Sequence, residues 1–506
     1  MPATRRYWLG CAAQKRSASD SFISPATVLN WLPASALRLL RKSLLGYIRR
    51  LTPDQMLDRS RQGAIRAVTR AAQSSPAYRV LLAEHSLDPS REFSAVDLAK
   101  LPVLTKNNTF ERFHLDDLTG GVPAADLGDV LTSSGRGGSG FGFRLTSRKQ
   151  HASAWFDIDL GLQDAFDVDR RPTLLVNCLP MGVVFNSRAV TVANVSVRQD
   201  MACSILKDVG PNFEQTILCT DPLFVRQILD HAELVGIDWK ALKTSVILGE
   251  EVLVEAQRDY IAAKMGIDVD RDPLRMIGSS FGVGELGLNL LFETRETIAL
   301  RRAMRSRPEV RTLLVGEHGG LAAPSIFCFN PLRTHIEVLN PDADGYGELC
   351  FTMLDPNAVI PLPRYTTGDT GKLVSTHATT EAASLCGTPA PWLPVVTLRG
   401  RIKDRCPGMP SVEDIKELIY LDHGIADRLT GAFLLTPEGS GRAKVSLLAR
   451  NEQSTTEAEL NAGLGRLVKH LDLKNLTIEV LAAEAFPHRP TIDHERKFPY
   501  LRAAGH

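Results

Sequence analysis

Two short apolar runs constrain the fold most. Leu174-Leu175-Val176 and Ser245-Val246-Ile247-Leu248 are too short for helices and show no polar alternation, which is the pattern of strands buried on both faces. The second run passes into Gly249 and then a helical pattern over residues 254–264. A strand covered on both faces needs helices above and below it, so from about Leu101 onward the chain reads as α/β with much parallel sheet. Further along the texture changes. His335-Ile336-Glu337-Val338-Leu339, the turn Pro341-Asp342-Ala343-Asp344-Gly345 and Glu348-Leu349-Cys350-Phe351-Thr352 together predict a hairpin. After Gly400 a smaller piece mixes helices and strands at residues 412–420, 443–449, 457–471 and 476–481.

With 506 residues, at roughly 100 to 200 per domain, there is room for two to four domains. The division expected is an amino-terminal extension over residues 1–52, a large domain over 53–400 and a small domain over 401–506. Basic and acidic residues number 59 and 58, so the net charge of +1 gives no general attraction to nucleic acid. No apolar run approaches the roughly 20 residues of a membrane-spanning helix. Eight scattered cysteines without a C-x-x-C pair suggest neither a zinc site nor a disulfide framework, and a reducing cytoplasm is the compartment expected. Arg5 and Arg6 precede an apolar stretch, Tyr7 to Ala13, that stops at Gln14-Lys15-Arg16, too short for the core of an export signal.

Residues 26–50 carry apolar side chains at mixed helical spacing together with Arg38, Arg41, Lys42, Arg49 and Arg50. Such a helix either docks on its own protein with a solvated basic face, the reading favoured here, or rests on an anionic membrane or a partner. A second helical stretch over residues 55–84 stops before Ser86-Leu87-Asp88-Pro89.

Three segments could carry chemistry. In Thr132-Ser133-Ser134-Gly135-Arg136-Gly137-Gly138-Ser139-Gly140, small residues let backbone amides converge, and Arg136 adds a fixed charge, so a polyphosphate could be cradled there; a flexible hairpin tip is the alternative. Ser279-Ser280-Phe281-Gly282-Val283-Gly284-Glu285 sets one carboxylate, able to hold Mg²⁺, near a ring able to stack on a base. Arg364-Tyr365-Thr366-Thr367-Gly368-Asp369 is a turn whose acid could accept both hydroxyls of a ribose.

In this order, and with Leu398-Arg399-Gly400-Arg401-Ile402-Lys403-Asp404-Arg405 following, the segments resemble the adenylate-forming superfamily, in particular its phenylacetate–coenzyme A ligase-like branch. Ser75-Pro76-Ala77-Tyr78-Arg79, Leu101-Pro102-Val103-Leu104-Thr105-Lys106, Ile247-Leu248-Gly249-Glu250-Glu251, Cys386-Gly387 and Pro410-Ser411-Val412-Glu413-Asp414-Ile415 extend the resemblance from about Ser75 to the end. It implies a large multi-sheet α/β domain that binds ATP and a carboxylic acid, and a small mobile α+β lid. It also implies residue roles. Ser133, Ser134, Gly135, Arg136, Gly137 and Gly138 would hold phosphates, Arg136 counting as catalytic; Gly249, Glu250, Ser280, Phe281, Gly282 and Arg401 would bind the nucleotide, with Phe281 stacked on adenine; and Asp369 would bind the ribose. Glu285 would ligate Mg²⁺, Lys403 would be the hinge, and Lys497 would be the catalytic lid lysine.

Three departures stand out: Arg136 and Gly137 replace two customary threonines, Gly284 replaces a hydroxyl residue, and no glycine precedes Lys497. The reaction implied is ATP-dependent formation of an acyl-adenylate and its transfer to a thiol, coenzyme A or a phosphopantetheine carrier protein. An amine or hydroxyl acceptor, or a non-catalytic nucleotide-binding relative, are the alternatives, and a homodimer is left open. An apolar pocket between residues 180–185 and Ser279-Ser280 would suit an aryl or medium acyl acid.

Overall fold

The computed structural model describes residues 29–132, 141–180, 182–317, 320–402, 405, 408–439, 441–450, 457–471, 473, 475–487, 494–495 and 497–501. Ser133, Ser134, Gly135, Arg136, Gly137 and Gly138 of the expected phosphate cradle, Met181 of the expected pocket and the expected hinge Lys403 lie outside the described residues.

The cradle's flanks are β1 (Leu127–Thr132) and β2 (Phe143–Ser147), an antiparallel hairpin with Thr132 opposite Phe143. An 11-stranded sheet follows, built from β3 (Thr173–Asn177), β4 (Thr191–Asn194), β5 (Gln215–Thr220), β6 (Thr244–Leu248), β7 (Ile277–Val283), β8 (Gly287–Phe292), β9 (Ser325–Phe329), β10 (Thr334–Leu339), β11 (Gly347–Met353), β12 (Tyr365–Val374) and β13 (Val395–Arg401). Its order is β10-β11-β12-β13-β9-β8-β7-β6-β5-β3-β4. The strands from β4 to β7 are parallel, whereas β8 onward is antiparallel, so β7 is where the sheet changes character. The two apolar runs are β3, wholly buried, and β6; the expected hairpin is β10–β11, with Leu339 opposite Glu348. The remaining strands, β14 (Leu429–Gly439), β15 (Arg442–Ala449) and β16 (Leu476–Leu481), form a three-stranded sheet in the carboxy-terminal region.

The helices that matter for the site are α1 (Ala34–Ile48), α2 (Pro53–Ser74), α3 (Pro76–Glu84), α4 (Ala154–Phe166), α5 (Val225–Val235), α6 (Glu255–Met265), α7 (Val412–Tyr420) and α8 (Glu457–His470). The helical stretch expected over residues 55–84 is two helices, because Pro76 has no N–H to continue the ladder. Ser75 instead caps α3, its hydroxyl accepting from Tyr78 N at 3.3 Å, a contact worth about 1 kcal/mol.

α1 docks against α4, with Leu37 packed on Trp155 and Phe156. Arg41 is buried between Asp159, at 3.6 Å, and Asp169, to which its Nε donates at 3.2 Å, and Arg49 pairs with Asp164. These acids take up the charge of two arginines that a membrane-bound helix would present to lipid, so the docked form expected from the pattern is the one found.

A buried ionic cluster fixes the changeover strand. Arg258 on α6 meets Glu255 at 2.8 Å and Glu293 at 2.7 Å, and Glu293 in turn accepts from Ser279 N at 2.8 Å, all with almost no exposure. Removing one partner would strand a buried charge, at about 3–5 kcal/mol, and through Ser279 N the cluster is tied to β7, just before Ser280 and Phe281. In the carboxy-terminal region, Ile415, Leu418 and Ile419 of α7 join one apolar cluster with Tyr260 and Ile261 of α6 and with β3, β5 and β6.

Candidate active site

Glu285 sits in the tight turn between β7 and β8 and is buried, with 5% exposure. Lys106 Nζ lies 3.2 Å from its Oε1. The lysine arrives there through backbone pairing. Leu104 N donates to Arg364 O at 2.8 Å and Thr366 N donates to Leu104 O at 2.9 Å, so the segment joins the start of β12 through a single parallel bridge. From that same strand end the Tyr365 hydroxyl bonds to Glu285; burial, then the nearby carboxylate, raises the phenol well above its ordinary value. Gly142, where the chain returns from the glycine-rich loop, touches the same carboxylate. A Cβ there would lie 2.1 Å from Glu285 Oε1, so only glycine permits the approach.

Along β7, Phe281 stacks on Phe351 of β11, ring centroids 6.2 Å apart and planes 21° apart, so one side of the expected base-stacking ring is backed by the core. Gly282 faces the β8 backbone, with Leu288 Cα 3.0 Å from where a Cβ would be. Ser280 lies beside Gly249 at the end of β6, its Oγ 3.8 Å from the position of an added Cβ. The next residue, Glu250, has a φ of 69°, a left-handed conformation uncommon outside glycine and asparagine. That turn aims Glu250 at the carboxy-terminal region, where Lys497 Nζ meets its Oε2 at 3.0 Å. Two residues far apart in the chain, each assigned to the site by resemblance, thus come into contact.

Asp369, 3% exposed, lies opposite Arg401 in the β12–β13 ladder, and Arg401 Nε is 3.5 Å from its Oδ1. The Thr367 hydroxyl donates to the other carboxylate oxygen. A charged carboxylate has about four acceptor positions, so these two partners orient Asp369 and leave it acceptor capacity for a diol.

Lys497 belongs to a strap that crosses onto the large region. His494 bonds Gln227 of α5 at 2.7 Å, and Ser196 donates to Glu495 at 2.8 Å. Next to Glu250, Glu251 accepts from the Tyr500 hydroxyl and from Lys416 of α7, both at 2.7 Å. Asp221, after β5, adds a further carboxyl; burial first, and Glu251 second, push it up to about 7.

The chemistry of Glu285 suits a magnesium ion that takes most of its ligands from phosphates and water, since one carboxylate is then enough. Among the described residues no group of three or more His, Cys, Asp or Glu is placed to hold a metal. Lys106 and Tyr365 engage Glu285 without exhausting its acceptor positions. Lys106 and Glu251 are site residues that sequence reasoning quoted only as parts of motifs. No spacing rule joins Lys106 to Glu285; the partnership exists only once the segment pairs with β12.

No family model matches the chain, and no curated protein matches its sequence. Solved structures share its fold. 2-Hydroxyisobutyryl-CoA ligase in the postadenylation state, in complex with R3-HIB-AMP, aligns with a TM-score of 0.61 at 14% identity over 89% of each chain. The same enzyme in that state with 2-HIB-AMP gives 0.60, also over 89% of each chain at 14% identity. Its open conformation with 2-HIB-AMP and CoA gives 0.50, at 14% identity over 89% of this chain and 91% of that chain. At such identity the likeness establishes the fold.

Proposed function

We propose that this chain, which has the fold of an adenylate-forming CoA ligase, activates a carboxylic acid with ATP and transfers the acyl group to a thiol. The observation that carries the reading is the Lys497–Glu250 contact, which brings a cation of the carboxy-terminal region to the end of the interior strand β6, next to β7 with Ser280 and Phe281. In the first step the acid's carboxylate oxygen attacks the α-phosphorus of ATP and pyrophosphate leaves. In the second, a thiolate attacks the acyl carbon and AMP leaves.

Each residue has a task set by charge. Asp369 accepts from the ribose hydroxyls, Phe281 offers a ring to adenine, and Lys497 moves from Glu250 to the α-phosphate, where negative charge grows as the acid attacks. Glu285 would hold Mg²⁺, which on binding neutralises phosphate charge. Arg136 would supply charge where hydroxyl donors are customary. Residues 401–506 act as a lid turning about Lys403, and coenzyme A is the acceptor favoured, since the solved counterpart is a CoA ligase crystallised with CoA. The pocket expected between residues 180–185 and Ser279-Ser280 would take an apolar acid; Val183 there is buried.

ATP–pyrophosphate exchange over a panel of aryl, fatty and amino acids tests the reading. Exchange that depends on an aryl or medium acyl acid is the expected result; ATP binding without exchange for any acid would leave a nucleotide-binding protein.

A further inference from the structure

Docking on α4 occupies one face of α1 and leaves the opposite one exposed. Leu37, Arg41 and Ile48 point inward and are buried. At about 3.6 residues per turn Leu39 falls opposite them, with Arg38 and Lys42 on one flank and Leu40 and Tyr47 on the other, and Arg50, about three turns on, continues the line of Leu39. These outward side chains are exposed, Leu39 by 65% and Tyr47 by 51%, as is Trp31, by 84%, just ahead of the helix.

The face is apolar and basic at once. Residues 29–50 contain no acid, and Asp54, the first acid after them, already accepts from the Thr376 hydroxyl at 2.8 Å. Of the acids that α4 and its neighbourhood bring to α1, Asp159 and Asp169 take Arg41 and Asp164 takes Arg49. Arg38 lies 4.0 Å from Asp169 and keeps most of its surface in water, while Lys42 and Arg50 stand exposed. Arg59 of α2 adds a further cation, donating to the Tyr47 hydroxyl at 3.0 Å. The whole chain has a net charge of +1, so these cations are a local excess and not a share of general basicity.

Folding has no use for tryptophan and leucine left in water beside unneutralised cations, and the two characters together narrow the partner. A second copy of the chain, seated face to face about a twofold axis, would set the same cations against one another. A lipid surface offers anionic headgroups and, just beneath them, acyl chains, and tryptophan and tyrosine favour that boundary. We propose that the outward face of α1, together with Trp31, rests on an anionic membrane while the inward face stays docked on α4. Trp31, Leu39, Leu40 and Tyr47 enter the headgroup layer, and Arg38, Lys42 and Arg50 meet lipid phosphates. The contact is with the surface, since no helix among the described residues is long and apolar enough to cross a bilayer. It is independent of the acid–thiol ligase reading.

The test is co-sedimentation of the full-length protein with vesicles of phosphatidylglycerol and phosphatidylcholine in equal parts, against vesicles of phosphatidylcholine alone. Wild type sediments with the first and stays in solution with the second. Lys42→Gln and Arg50→Gln each lower the partition coefficient about fivefold, the worth of one cation near an anionic surface. Leu39→Glu lowers it at least about tenfold, because it removes apolar contact and adds a like charge. All three positions are exposed, so the urea midpoint stays at the wild-type value and a loss of binding is not a loss of fold. No sedimentation of wild type with the anionic vesicles, equal sedimentation with both kinds, or binding undiminished in all three variants overturns the proposal, the last by assigning the contact to another part of the chain such as residues 1–28. A dimer that Leu39→Glu dissociates, in a protein that ignores the vesicles, gives the face to a second copy instead.

Discussion

The site uses a lysine–glutamate pair twice, and the two are held differently. Lys106 reaches Glu285 from a segment locked to β12 by backbone hydrogen bonds on both sides of Leu104. Lys497 reaches Glu250 from a strap whose backbone is tied to β14, Leu435 N donating to Tyr500 O at 2.7 Å, and which meets the large region through side chains, His494 to Gln227 and Tyr500 to Glu251. A segment bridged by its backbone to β12 cannot leave without breaking that bridge, whereas one that meets the large region through side chains can travel with the region that carries it. The first pair therefore belongs to the framework and the second, on the proposed reading, to the region that would move, and substitutions should separate stability from rate.

The largest effect expected is kinetic. Lys497→Ala should slow adenylate formation by about two orders of magnitude or more, the loss of one positioned charge, yet shift the denaturation midpoint little. A large drop in stability would make the strap a structural element and erase the distinction. Next, Asp369→Ala should weaken ATP binding by roughly 1.5–3 kcal/mol per hydrogen bond lost, read by calorimetry; unchanged affinity would move the ribose elsewhere.

Lys106→Met should show the opposite balance to Lys497. It leaves the buried Glu285 without its ammonium, so urea unfolding should report a loss of roughly 1–3 kcal/mol. A fully stable Lys106→Met protein would mean that the first pair, too, is not part of the framework.

The smallest effect lies where the strap meets the sheet. Asp221 is raised to about 7 by burial and by Glu251, from an ordinary value of 3.8, so the folded protein holds this proton more tightly than the unfolded chain. Its contribution is then fully present below about pH 4 and is lost as pH rises towards about 7. Asp221→Asn, which can still accept from Leu223 N and Phe224 N through Oδ1, should flatten that loss, gaining roughly 1–2 kcal/mol above pH 7. An unaltered stability–pH profile would show that another group governs it.

Much of the architecture was legible in the sequence because it rests on local patterns. The apolar runs of β3 and β6, the β10–β11 hairpin and the elements at residues 412–420, 457–470 and 476–481 each carry their own periodicity or turn chemistry. The break at Ser75-Pro76 was legible too, in the proline, but the surrounding helical pattern masked it. In the site, Glu285, Asp369 and Lys497 stand in motifs, and motifs name residues without their partners. Lys106 with Glu285, Tyr500 with Glu251 and Arg41 with Asp159 join segments by strand pairing and helix docking, which no spacing in the sequence encodes.

The central claim is that Lys497 serves the adenylation step from a region that then moves away. The measurement that tests it most directly follows both half-reactions on one protein, Lys497→Ala, with an acid that supports exchange in wild type. The account predicts that pyrophosphate exchange falls by about two orders of magnitude or more while a chemically supplied acyl-adenylate is still converted to thioester at close to the wild-type rate. Equal loss in both half-reactions, or no loss in either, would contradict it.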